Sequence, residues 1–173
     1  MRLNILVSAV AAALVVGPLS VAAQTSNTSS ITAVVAVAAG INVTGVSDLT
    51  FGAAVPGTSP VIDIIDATAG KWFVSGAAGA EVDLSLVAPL VLTDIGGNAG
   101  ADIPIAYTAG YSATDVPGSA TPWVDVTITE TSNLDGTTGE LYAWVGGTLT
   151  LAANQTPSNY TATVQLTVAY TGN

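Results

Sequence analysis

Carboxylates are nearly the only side chains in this sequence that could carry out acid–base chemistry. The 173 residues contain no histidine and no cysteine, and two Lys or Arg stand against twelve Asp or Glu. Two carboxylates can hydrolyse a glycoside when they lie roughly 5 to 9.5 Å apart. Glu81 and Asp83 fit this requirement, because residues two apart on a strand share a face at about 6.5 to 7 Å. Asp63 and Asp66 are three apart, so a strand would point them to opposite faces.

The Glu81 and Asp83 pair lies opposite the apolar residues Val82, Leu84 and Leu86. In a strand with one buried face, the two carboxylates therefore fall on the solvent side, where they are simply solvated. We expect no enzymatic activity and no catalytic residue, and the sequence contains no cofactor-binding motif.

Two acidic segments rich in glycine, 93–102 and 132–140, are candidates for a calcium site. Calcium binds carboxylate and carbonyl oxygens. The side chains concerned are Asp94, Asn98 and Asp102 in the first segment and Asn133, Asp135 and Glu140 in the second. Neither segment has EF-hand or RTX spacing, and the same residue types favour turns. We therefore expect turns without a resident metal, with calcium binding as the alternative.

Three tryptophans, Trp72, Trp123 and Trp144, are candidates for stacking on sugar rings. Trp144 alternates with Leu141, Ala143 and Val145, so it is expected on the exposed face of its strand. The alternative is that the tryptophans belong to the core, as they commonly do in β-sandwiches.

Period-two runs rich in Val, Ile, Thr and aromatic residues recur between turn residues, whereas helical periodicity is absent after the first 23 residues. The predicted strands are 31–43, 61–65, 71–76, 81–86, 90–95, 102–109, 123–130, 141–151 and 160–170. A hairpin turn is predicted at 134–136. This pattern predicts an all-β fold, an Ig-like or Greek-key β-sandwich with an extended N-terminal strand. A closed barrel is the second choice.

The amino-terminal 23 residues are predicted to be a secretory signal peptide. An apolar stretch follows Met1 and Arg2, and it ends at the small-residue site Val21, Ala22 and Ala23. We expect an N-terminal extension at 24–39, one β-sandwich domain at 40–173 and an extracellular or cell-surface location. Loss of Arg2 changes the formal net charge from −10 to −11 and leaves Lys71 as the only basic side chain. Nucleic acid and, after cleavage, membranes are therefore not expected partners.

Several short motifs in a fixed order resemble the family called domain of unknown function 4402. They are 49–52 (LTFG), 55–57 (VPG), 73–76 (FVSG) with Gly79, the strand with Val82, Leu84 and Leu86, 145–149 (VGGTL), and the strand that begins at 159–160 (NY) and ends in Tyr170. The resemblance implies an exported bacterial β-sandwich without an assigned enzymatic activity. The chain more faintly resembles chaperone-usher pilin subunits, through its alternating N-terminal extension and its C-terminal strand with a late aromatic residue. That resemblance implies periplasmic assembly factors as partners, although many such pilins have a disulfide that this chain lacks.

The strand at 31–43 is about 43 Å long when extended, which exceeds one edge of a small sandwich. With a bend at Ala39 and Gly40, its first part could leave the domain and complete the sheet of a neighbouring copy. The residues expected at this interface are Ile31, Ala33, Val35 and Val37 on the donor and Val164, Leu166, Val168 and Tyr170 on the acceptor. Such a head-to-tail contact predicts a homopolymeric, pilus-like filament formed by donor-strand exchange. The alternative is a self-contained secreted or cell-surface sandwich, including a carbohydrate-binding or matrix-associated one, in which the same strand pairs within its own domain.

Overall fold

The computed structural model describes residues 40–98 and 101–172. The predicted signal peptide (1–23), the N-terminal extension (24–39) and the four predicted donor residues Ile31, Ala33, Val35 and Val37 lie outside the described residues. Within them the protein is all-β, with one 3₁₀ turn at Pro117–Ser119 as its only helical element. No helix in the described part has the length and apolarity to cross a membrane.

Eleven strands form two antiparallel sheets, which confirms the predicted β-sandwich. The strands are β1 (Asn42–Ser47), β2 (Val61–Ile62), β3 (Gly70–Ser75), β4 (Glu81–Val87), β5 (Val91–Asp94), β6 (Ile103–Ser112), β7 (Thr121–Pro122), β8 (Glu130–Asn133), β9 (Glu140–Leu149), β10 (Tyr160–Thr161) and β11 (Gln165–Tyr170). The large sheet has the order β1-β3-β9-β6-β5-β10, with β2 paired to β9 and β7 paired to β6. The small sheet has the order β11-β4-β8.

Alternation of apolar residues explains how the two sheets form one core. In β4, Val82, Leu84 and Leu86 are buried, whereas the residues between them are partly exposed. They belong to the same cluster as Val74, Leu141, Ala143 and Val145 from the centre of the large sheet. Each apolar side chain of this size gains about 1.5 to 3 kcal/mol from full burial. The small sheet is therefore fastened to β3 and β9 by hydrophobic packing.

The segment 123–130 is a turn rather than the predicted strand. Asp125 Oδ1 accepts hydrogen bonds from the Thr127 backbone N–H (2.9 Å) and from Thr127 Oγ1 (2.7 Å), which bends the chain. Val124 is consequently 90% exposed and Ile128 is also exposed. The strand itself begins only at Glu130.

The predicted turn after Leu134 is present, but the hairpin prediction is wrong. β8 pairs with β4 in the small sheet, whereas β9 pairs with β3 and β6 in the large one. Asp135 Oδ1 accepts the backbone N–H groups of Thr137 (2.8 Å) and Thr138 (2.7 Å). The turn therefore carries the chain from one sheet to the other.

The predicted strand 160–170 is divided between the two sheets. Tyr160 and Thr161 pair with the end of β5, whereas Gln165–Tyr170 pairs with β4. The alternating pattern of the sequence continues through the interruption at 162–164, because Val164 packs on the same core as Leu166 and Val168. Alternation alone therefore could not reveal the change of partner.

Tyr170 ties the last strand to the loop after β3. Its hydroxyl accepts a hydrogen bond from the Ala77 backbone N–H at 2.7 Å, and its side chain packs against the main core. The contact joins residues 93 positions apart in the chain. This hydrogen bond fixes the end of β11 next to the end of β3.

We predict that Tyr170→Phe lowers the free energy of unfolding by about 1 to 2 kcal/mol, because the part-buried Ala77 N–H loses its acceptor. Tyr142→Phe is the matched control, since the Tyr142 hydroxyl donates only to the Glu140 carboxylate at 3.1 Å. The control should change stability by no more than about 0.5 kcal/mol. Urea unfolding followed by tryptophan fluorescence measures both, and equal effects of the two substitutions would contradict the proposed role of Tyr170.

Candidate functional site

The small sheet covers only part of the inner face of the large sheet. Beyond its cover lies a second apolar cluster, composed of Ile103, Ile105, Leu149 and Leu151. The side chains packed against this cluster come mainly from loops and strand ends: Leu49, Phe51, Ala54, Leu92, Tyr107 and Tyr160. This half of the sheet is therefore covered by irregular segments instead of strands.

A groove of about 840 Å³ runs over this second cluster, and we call it the acceptor groove. One wall is the segment 48–56 and the other is the segment 155–164. Ile103, Ile105, Leu149 and Val145 of β6 and β9 contribute to its floor. Alternation along these strands predicted a buried face, but it could not show which part of that face the second sheet leaves uncovered.

The four acceptor residues predicted from the sequence have different surroundings. Val164 lines the acceptor groove. Leu166, Val168 and Tyr170 are half-buried on β11 and pack against the main core of their own domain. The structure thus places one predicted residue at the groove and the other three on β11 of the small sheet, where they face the core of their own domain.

Two sheet edges lie beside each other near this groove. β11 is at the edge of the small sheet and pairs only with β4, and β1 is at the edge of the large sheet and pairs only with β3. β1 also approaches β11. In the described part of the chain, the outer edges of these two strands have no strand partner. Backbone N–H and C=O groups on such edges can pair with an added strand.

The wall 155–164 is held in place by a buried carboxylate. Asp94 is 4% exposed, and it accepts hydrogen bonds from Ser158 Oγ, from the backbone N–H groups of Gly96 (2.9 Å) and Asn98 (3.1 Å) and from Asn98 Nδ2 (2.5 Å). These donors, the Ser158 hydroxyl first, lower the pKa of Asp94 from 3.8 to about 2. Asp94 thus acts as a turn-forming residue that joins two loops.

Further hydrogen bonds support the same wall. The Ile95 backbone N–H donates to the Asn159 carbonyl at 2.9 Å. Gln155 Nε2 donates to the Ala101 carbonyl and to the Tyr160 hydroxyl (3.0 Å), and that hydroxyl donates to the Thr156 carbonyl (2.5 Å). The wall is therefore preorganised by the domain itself.

The remaining candidates for chemistry are separate from the groove. Glu81 and Asp83 lie partly exposed on the outer face of β4, where Asp83 accepts a hydrogen bond from Thr131 Oγ1 at 2.8 Å. Asp102 is exposed, while Asp94 and Asn98 bond each other, so the first acidic segment is occupied by turn contacts. No group of three or more His, Cys, Asp or Glu that could hold a metal ion occurs among residues 40–98 and 101–172.

The expectation that Trp144 is exposed is wrong. Trp144 is 4% exposed and Trp123 is 6% exposed, so neither ring is available as a flat stacking platform. As predicted, the Trp144 side chain lies on the face of the strand opposite to that of Ala143 and Val145. On that face its ring stacks on Tyr142, with 6.2 Å between the ring centroids. Lys71 Nζ lies over both rings and forms a 2.5 Å ion pair with Asp115. These contacts bury a ring on the outer face of the sheet, which periodicity could not predict.

The fold and the groove define the protein as a β-sandwich with two unequal sheets, in which loop residues help to cover a second apolar cluster on the large sheet. The chain belongs to the family described as domain of unknown function (DUF4402), whose model matches residues 41–170. This confirms the resemblance seen in the ordered motifs from Leu49 to Tyr170. No curated protein matches the chain.

We predict that Asp94→Asn destabilises the protein near neutral pH and that the effect disappears on acidification. Because the pKa of Asp94 is about 2 in the folded state and an ordinary aspartate has a pKa of 3.8, the charged carboxylate stabilises the folded state above pH 3.8. This contribution is lost as the pH falls from 3.8 through 2. We expect urea unfolding between pH 6 and pH 2 to show that the free energies of unfolding of the wild type and of Asp94→Asn converge as the pH falls.

Asp48→Asn is the control, since it removes one exposed carboxylate on the opposite wall of the groove. A difference between wild type and Asp94→Asn that stays constant with pH would contradict the assignment.

Proposed function

We propose that this protein is the structural subunit of an extracellular, pilus-like filament, in which each copy donates its N-terminal segment to the acceptor groove of the next. The observation that carries the proposal is the acceptor groove itself, which has a floor of buried apolar residues and a lining of mixed polar and apolar character, and which lies beside the edge strand β11. A sandwich with this opening has both the apolar floor and the strand edge that strand addition requires.

The segment 24–39 has the chemistry of the proposed occupant. It precedes the described domain directly, and it contains no Asp, Glu, Lys or Arg. Ile31, Ala33, Val35 and Val37 alternate along it, so an extended conformation presents them on one face. Insertion of such a segment buries apolar surface without taking a charge out of water, which would be costly.

The position of the segment supports exchange between copies. Gly40 is exposed, and β1 begins two residues later at Asn42. The described chain therefore begins at an exposed residue, directly before an edge strand. A segment that leaves here and enters another copy makes a heterologous contact, which repeats head to tail and produces a filament unless it closes into a ring.

The proposal includes export and excludes catalysis. Removal of 1–23 as a signal peptide would release the segment 24–39 at a new amino terminus. The carboxylates near the groove, Asp94 and Asp48, give no acid–base pair over the apolar floor, and Asp94 is engaged by four donors. The resulting protein is a building block whose interface is the functional site.

A substitution that fills the acceptor groove should abolish filaments. Ala162 lines the groove, whereas the neighbouring Thr163 is exposed and does not line it. We predict that Ala162→Trp leaves a folded monomer, because the indole occupies the space of the donor segment, and that Thr163→Trp still assembles. Negative-stain electron microscopy and sedimentation of the mature proteins measure the outcome. Filaments of equal length and yield from both variants would contradict the proposal.

Substitutions in the donor should be selective for one face. Val35→Asp places a charge on the proposed inserted face, whereas Val34→Asp places it on the opposite face of the same segment. We predict loss of assembly for Val35→Asp alone, by at least tenfold in polymer yield. A protein shortened to begin at Gly40 should remain monomeric, and it should bind a synthetic peptide of residues 27–38. A monomeric mature wild-type protein would show that the segment serves its own domain.

A further inference from the structure

A second cavity lies along β6, on the side away from β9. There β6 has two partners with a gap between them. β5 pairs near Ile103, and the Leu90 carbonyl accepts the Ile105 N–H at 3.0 Å. β7 pairs with β6 at Gly110, and the backbone N–H of Trp123 donates to the Ala109 carbonyl at 2.9 Å.

Tyr107 lies in the middle of this gap. Alternate residues of a strand direct their backbone N–H and C=O groups to the same side, so Tyr107 directs both groups to the side used by Ile105 and Ala109. In the described part of the chain, neither of these groups has a hydrogen-bond partner on that side. The Ile105 carbonyl and the Ala109 N–H point to the same side, and they too have no backbone partner in the described part of the chain. The notch between the two strands therefore presents two unpaired donors and two unpaired acceptors.

The notch opens into a cavity of about 470 Å³. Its lining includes Ile64, Tyr107, Trp123, Val124 and the two acidic residues Asp63 and Asp125. Asp63 Oδ1 accepts the Ile65 N–H at 3.3 Å and Asp125 Oδ1 accepts from Thr127. In the described residues, the second oxygen of each carboxylate has no partner. The size lies within the range of small-molecule sites, about 300 to 1,000 Å³.

The polar groups restrict the class of ligand. The carboxylates of Asp63 and Asp125 are exposed, and together with the strand carbonyls they can accept hydrogen bonds, while the Tyr107 and Ala109 N–H groups need acceptors. A hydroxyl group supplies both functions, whereas an ammonium group supplies donors only and would leave the Tyr107 N–H unpaired. An extended peptide is too long for the gap, because Ile105 and Ala109 are only about 14 Å apart and Leu90 and Trp123 close its two ends.

We propose that this notch binds a single neutral sugar unit of a glycan. Its hydroxyl groups would pair with the Tyr107 backbone and with the free oxygens of Asp63 and Asp125. Its apolar C–H surface would contact Ile64 and Val124, and Val124 is 90% exposed without a ligand. This site is independent of the acceptor groove, so a filament subunit and a self-contained domain could both carry it.

The test uses the mature protein and the methyl glycosides of glucose, galactose, mannose and N-acetylglucosamine. Saturation-transfer NMR detects binding, and titration gives the dissociation constant. We expect saturable binding of at least one glycoside in the millimolar range or tighter. Asp63→Asn and Asp125→Asn each keep the Oδ1 acceptor of the turn and replace the free oxygen with a donor, so each should weaken binding at least tenfold. The unfolding midpoint checks that both variants remain folded.

Asp48→Asn is the matched control, because it removes a carboxylate that does not line the notch. It should bind the glycoside as the wild type does. Absence of saturable binding to all four glycosides would overturn the proposal, as would equal affinity of the wild type and both notch variants. Preferential binding of methylammonium would also overturn it, since that result would show a cation site. Filament assembly should be unchanged in Asp63→Asn and Asp125→Asn, so the result does not depend on the acceptor groove.

Discussion

The packing of β4 against the large sheet is the interaction on which the rest of the structure depends. Val82, Leu84 and Leu86 cover Val74, Leu141 and their neighbours, and side chains of β11 extend the same continuous core. The large sheet, however, has more strands than the three-stranded small sheet, so part of its inner face lies outside the area that the small sheet covers. Ile103, Ile105 and Leu149 lie in that part, and their surface is covered by loops. An unequal pair of sheets thus produces both a stable core and an open groove within one domain.

The groove differs from a packing defect because its walls are built by specific polar contacts. Asp94 joins the loop after β5 to the segment 155–164, and a preorganised wall lowers the entropic cost of receiving a partner. The floor is equally constrained, since a side chain at Gly147 of β9 would lie 2.8 Å from the Ala106 carbonyl. β9 can therefore be paired closely on both sides only with a glycine at this position. The second glycine of the VGGTL segment (145–149) has a physical reason in this close approach of neighbouring strands.

The sequence predicted the fold class and most strands, because alternation and turn residues report directly which face of a strand is buried. It was misleading where alternation continued through a structural break. At 123–130 the Asx turn at Asp125 outweighed the strand pattern, and at 162–164 the chain changed sheets without losing its apolar period. Trp144 was predicted on the correct face, but its burial depends on Lys71, Tyr142 and Asp115, which come together only in three dimensions. The acceptor groove depends on how far one sheet extends past another, and no local pattern encodes that extent.

The environment of Lys71 has a consequence for resistance to proteolysis. Lys71 is the only basic residue after Arg2, so a trypsin-like protease has one cleavage site in the sequence beyond Arg2. That site lies in β3, which is paired on both sides by β1 and β9, and its ammonium group is engaged by Asp115. Proteases cut extended, accessible segments and not the interior of a sheet. The scarcity of charge that makes the surface unusual therefore also leaves this common class of digestive enzyme with almost no point of attack.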